Sequence, residues 1–84
     1  MTFLSTAGWC GVTPSIRRQV GLNVTKVRKD RGWSQEQLAF ECKIHRTYIS
    51  GVERGIRNPT VLVLAKIAKC LKVPPSALLE PFRG

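Results

Sequence analysis

The sequence predicts an all-α chain of five short helices. Apolar residues recur at separations of three and four, the helical period, and nowhere alternate as a half-buried strand would. The helical stretches are also punctuated by residues that start or stop helices: Ser34 and Thr60 ahead of two of them, Gly32 and Gly55 behind two others. At 84 residues the chain suffices for one small core, and no internal repeat is visible.

Residues 1–15 mix Gly, Thr, Ser and Pro with isolated Phe3, Leu4 and Trp9, show no period, and read as a flexible N-terminal arm. The folded domain is expected over 16–84. From Ile16 to Arg31, Val20, Val24 and Val27 make one apolar stripe among basic residues, and Gly32 is the expected left-handed stop. The second helix opens with Ser34 as N-cap and Gln37 three residues on, a capping box, with Trp33 and Leu38 placed as a hydrophobic staple. Leu38, Ala39 and Cys42 face inward, and Lys43-Ile44 forms a turn.

The third helix runs from about Arg46 to Arg54. Ile49 and Val52 are its buried residues, and Arg46, Thr47, Ser50 and Gly51 fall mainly on the opposite side. Gly55 ends it, residues 56–59 form a loop, and Thr60 caps a fourth helix with the stripe Leu64, Ile67, Ala68, Leu71. A last short helix follows Val73-Pro74, with Leu78 and Leu79 facing in.

Charge supplies the first functional constraint. Fourteen Lys and Arg against five Asp and Glu leave a net charge of +9, which favours a polyanionic partner. The three cysteines and the single histidine lie at wide spacings with no CxxC or HxxxH pair, so no zinc site, metal or disulfide framework is expected. Cys42 and Cys70 read as buried thiols, Cys10 as a free one in the arm, all fitting a reducing cytoplasm. No apolar run is long enough for a membrane span, and no signal peptide is evident. With one His, five acids and no motif joining them, no catalytic residue can be named and an enzyme is not expected. No cofactor or small-molecule ligand is expected either. An RNA or membrane-surface binder is disfavoured by the lack of an aromatic stacking platform or basic amphipathic helix.

The second and third helices with their tight turn suit insertion of a helix into a DNA major groove. Arg46 can pair with guanine through two hydrogen bonds, and Thr47 and Ser50 can bond bases or phosphate. Gly51 leaves room for close approach at the same face. Around this face, Gln35 at the start of the second helix, Lys43 on the turn, Tyr48, then Arg57, Asn58 and Thr60 past the third helix are the expected phosphate contacts. Glu53 would repel DNA if it faced out. Its expected partner is Arg28 on the first helix, in a partly buried structural ion pair.

Residues 20–80 resemble the phage-repressor and Cro superfamily of helix-turn-helix regulators, the XRE family. The pieces that match are Val-Arg-Lys-Asp-Arg-Gly-Trp-Ser-Gln-Glu-Gln-Leu-Ala (27–39), Arg-Thr-Tyr-Ile-Ser-Gly-Val-Glu-Arg-Gly (46–55), Arg-Asn-Pro-Thr (57–60) and Leu-Ala-Lys-Ile-Ala-Lys-Cys-Leu-Lys-Val (64–73). The resemblance implies a five-helix, lambda-repressor-like DNA-binding domain that acts as a homodimer on a palindromic double-stranded operator. It implies phosphate contact at Gln35, base reading at Arg46, Thr47 and Ser50, and the inter-helix ion pair Arg28–Glu53. His45 through Gly55 followed by Arg57-Asn58 looks especially like restriction-modification controller proteins.

Two departures stand out. Lys43 occupies the turn position usually held by Gly, and Val61-Leu62-Val63 is apolar where the family is usually polar. Leu62 and Val63, with Leu78, Leu79 and Phe82, are therefore the expected dimer surface. The rival expectation is an antitoxin-type interaction module that also binds its own promoter, with Phe3, Leu4 and Trp9 serving a protein partner.

Overall fold

A computed structural model describes residues 15–81. Over that span the chain forms α1 (Ile16–Asp30), α2 (Gln35–Cys42), α3 (Arg46–Glu53), α4 (Val61–Leu71) and α5 (Pro75–Leu79), with no strand among the described residues. The expected arm lies outside the described residues except for Ser15. That residue belongs to the folded part, because its hydroxyl accepts from the Arg18 N–H and caps α1.

Local chemistry sets the helix ends. Ser34 Oγ accepts from the Gln37 N–H at 3.0 Å, and Thr60 Oγ1 accepts from the Val63 N–H at 3.2 Å, each relieving a donor with no partner inside its helix. The reciprocal half of the expected capping box is absent: the Gln37 side chain donates forward to Glu41 at 2.8 Å. Gly32 and Gly55 adopt positive φ just past α1 and α3, as helix stops do.

The helices close around one core of Val24, Leu38, Cys42, Ile49, Val52, Ile67, Leu71 and Leu78, all essentially without exposure. α1 packs on α3 and α5, α2 on α3 and α4, and α4 on α5. Trp33, Val27, Ile44 and Tyr48 are half-buried against this core. Cys70 is half-buried rather than buried, its thiol donating to the Glu41 carbonyl at 3.4 Å. Burial, with Cys70 alongside, pushes the Cys42 thiol up from 9.0 to about 12.

Two contacts set the position of α1 and neither was anticipated from sequence. Gly21 is buried where α1 crosses α3, and a Cβ there would run into the backbone carbonyls of Val52 and Glu53. Asn23 is buried too, and its Nδ2 donates to the carbonyls of Leu78 at 3.0 Å and Glu80 at 2.7 Å. Those two carbonyls lie at the end of α5, where helix geometry supplies no partner of its own.

Candidate nucleic-acid interface

The unit formed by α2, the turn and α3 is shaped by a left-handed residue. Lys43 sits at φ 59° and ψ 42°, and the Ile44 N–H turns back to the Ala39 carbonyl at 3.0 Å. This closes α2 and swings Ile44 onto the core, so that α3 can begin at Arg46 in a new direction. The expected turn is therefore present, and a lysine holds the conformation that glycine adopts without a steric cost.

An ion pair fixes α3 against α1. Arg28 Nε donates to Glu53 Oε2 at 2.7 Å and Nη2 donates to Oε1 at 3.0 Å, with the two side chains 10% and 4% exposed. Arg28 Nη1 also donates to the Trp33 carbonyl at 2.7 Å. Gln35 Nε2 donates to Glu53 Oε1 at 3.0 Å. Glu53 thus binds the end of α3 to α1 and to the first turn of α2 at once. The expected Arg28–Glu53 pair is present, and Gln35 proves to be part of it, with one amide hydrogen and its carbonyl unbonded among the described residues.

On the outer side of α3, Arg46 and Thr47 are exposed and Ser50 is half-exposed. Gly51 does not join them. It is buried beneath the Arg57 side chain, whose Cγ occupies the place a Cβ would take, so its surface is unavailable to a base. The loop after α3 is hooked at the same residue, because the N–H groups of Ile56 and Arg57 both donate to the Gly51 carbonyl, at 2.9 and 3.1 Å. The Arg57 guanidinium then lies 5.7 Å from the centre of the half-buried Tyr48 ring. Lys43, Arg57, Asn58 and Thr60 are all exposed. One acid near this face escaped the sequence reading: Glu36 lies 3.8 Å from Arg46 Nε.

The expected dimer surface is exposed only in part. Val61 and Leu62 stand 82% exposed and Leu79 45%, while Val63 is half-buried against the core. Leu78 is a correction: it is fully buried and serves as core, because the short α5 directs one leucine inward and its neighbour outward. Phe82 lies outside the described residues. No helix among the described residues is long and apolar enough to cross a membrane.

Comparison with known proteins agrees with this geometry. The control protein C.BamHI of Bacillus amyloliquefaciens is 47% identical over 70 residues, covering 82% of this chain and 86% of that one. The crystal structure of the hypothetical transcription factor NHTF from Neisseria superposes with a TM-score of 0.78 at 39% identity, covering 80% of this chain and 77% of that one. The restriction-modification controller protein C.Esp1396I, seen as a tetramer in complex with its natural 35-base-pair operator, matches with a TM-score of 0.71 at 37% identity, covering 77% of this chain and 86% of that one. Residues 24–78, spanning α2 to α4 whole, match the helix-turn-helix family HTH_3, and the chain belongs to that family.

Proposed function

We infer that the protein is a transcriptional regulator that binds double-stranded DNA as a homodimer on a palindromic operator and controls a restriction-modification system. The observation that carries this reading is the pairing of an exposed Arg46-Thr47-Ser50 face on a rigidly latched α3 with close similarity to control proteins along most of the chain. It acts in the cytoplasm by occupying DNA and not by catalysis.

In this reading α3 enters the major groove, with Arg46 on a guanine edge and Thr47 and Ser50 on neighbouring bases or phosphates. Lys43, Tyr48, Arg57, Asn58, Thr60 and the remaining polar atoms of Gln35 hold the sugar-phosphate backbone on either side. Val61, Leu62 and Leu79, too apolar to remain in water without consequence, form the contact between two copies. The two-fold axis then sets two α3 helices about one turn of DNA apart.

Selection of bound sequences from a random duplex library tests the whole reading. A palindrome with half-sites spaced by about one helical turn is expected. Recovery of unrelated sequences, or of a single unpaired half-site together with a monomer in sedimentation, would refute it.

A further inference from the structure

The acids of this chain have distinct surroundings. Of its five, Asp30 pairs with Lys26 at 3.4 Å, Glu41 accepts from Gln37, and Glu53 is consumed by the buried latch to Arg28. Glu80 lies past α5 at the far end of the chain, where its carbonyl is bound by Asn23. Glu36 differs from all of these. It is the second residue of α2, it is 81% exposed, and its Oε2 lies 3.8 Å from Nε of Arg46, the first residue of α3. A carboxylate beside the arginine expected to meet DNA weakens attraction to phosphate, so its effect on binding is not neutral.

We propose that Glu36 is a specificity-determining residue that positions Arg46, an inference resting on the DNA-reading role of α3 put forward above. The chemistry follows from the arginine's shape. A guanidinium carries five N–H donors in one plane, and a carboxylate on the Nε side leaves the terminal Nη1 and Nη2 donors pointing away. That pair matches the two acceptors, O6 and N7, that guanine shows in the major groove. The guanine edge is uncharged, so it engages the fork while Glu36 stays in place. A phosphate seeking the same arginine meets the charge of Glu36 a few ångströms away. Glu36 therefore favours Arg46 on bases over Arg46 on phosphates, and restricts the side chain before DNA arrives.

The test measures binding of four proteins (wild type, Glu36→Gln, Glu41→Gln and Arg46→Ala) and the Glu36→Gln, Arg46→Ala double variant. The probes are a duplex recovered by selection and the same duplex with the base pair sensed by Arg46 replaced. Glu41→Gln removes an equal charge from the same helix without touching Arg46. Glu36→Gln is expected to bind the altered duplex more tightly and to lose about two- to fivefold in discrimination, the range for an exposed pair. Glu41→Gln is expected to keep its discrimination. In the Arg46→Ala background the Glu36 substitution should leave the ratio of the two duplexes unchanged. Equal tightening on both duplexes, or an effect that survives without Arg46, overturns the proposal. A wild-type chain that prefers no duplex at all sinks the DNA-reading assignment itself, and this one with it.

Discussion

Arg28 grips Glu53 with two parallel hydrogen bonds, 2.7 and 3.0 Å long, across the junction of α1 and α3. Because both side chains are withdrawn from water, the pair behaves unlike a surface salt bridge: removing one partner leaves an uncompensated buried charge. Arg28→Ala is expected to lower unfolding free energy by about 3–5 kcal/mol in denaturant titration. A loss below about 1 kcal/mol, the surface-pair range, would contradict the latch.

Gly21 and Gly51 make an informative contrast. In a helix interior, alanine is favoured over glycine by about 1 kcal/mol when nothing obstructs it. At Gly21 the obstruction is backbone of α3, which cannot move without moving the helix. Gly21→Ala should therefore destabilise, by about 1–3 kcal/mol, with a fall in melting temperature as the readout. At Gly51 the obstruction is the flexible Arg57 side chain. Gly51→Ala should lower the melting temperature less than Gly21→Ala does, while weakening binding to all duplexes alike as Arg57 is displaced.

Lys43 combines a conformational cost with a useful charge. A left-handed residue with a Cβ is disfavoured by about 1–2 kcal/mol, and glycine gives back roughly 0.5–1 of that through its freer unfolded chain. Lys43→Gly should accordingly gain about 0.5–1 kcal/mol in stability, measured by denaturant titration. It should at the same time lose affinity on every DNA sequence, with a shallower salt dependence. Stability and binding moving together would sever the proposed trade.

Arg46→Ala should lose about 1–3 kcal/mol of discrimination at one base pair while retaining much non-specific binding. Competition binding against single-base variants of the selected duplex reads this directly. Uniform weakening across all variants would reassign Arg46 to phosphate.

Cys42 gives a pH dependence with a definite sign. Its folded value of about 12 lies above the ordinary 9.0, so above pH 9 the unfolded chain releases a proton that the folded chain keeps. The contribution is intact below pH 9 and is lost as pH rises from there toward 12, with a slope of at most about 1.4 kcal/mol per pH unit. Cys42→Ala should flatten the alkaline fall in stability relative to wild type, whatever its effect at neutral pH. Identical slopes would place the thiol in water.

Much of this fold is visible in the sequence because its boundaries are local. Ser34, Thr60, Gly32 and Gly55 act within one turn of where they stand, so their residue types alone announce helix ends. The Arg28–Glu53 pair is legible because an acid beside a buried valine, on a helix expected to face DNA, demands a partner. What escapes is non-local. The choice between Leu78 and Leu79 depends on how a single turn of helix is rolled against α1 and α4. The covering of Gly51 depends on where a loop returns, and the roles of Gly21 and Asn23 on which backbone they meet. Glu36 gives no local signal of its role, because its neighbour Arg46 is ten positions away.

The hydrogen bonds from Asn23 to Leu78 and Glu80 bear on how defects in this protein would present in a genetic screen. They join residues 55 and 57 positions apart, so α1 is completed by the last segment of the described chain. Loss of α5 would open the seat of α1, and with α1 goes the Arg28 that orients α3. Truncations and missense changes near Leu78 would thus score as operator-binding defects, indistinguishable by phenotype from changes at Arg46, although they touch none of the proposed reading residues. A stability measurement is what separates the two classes.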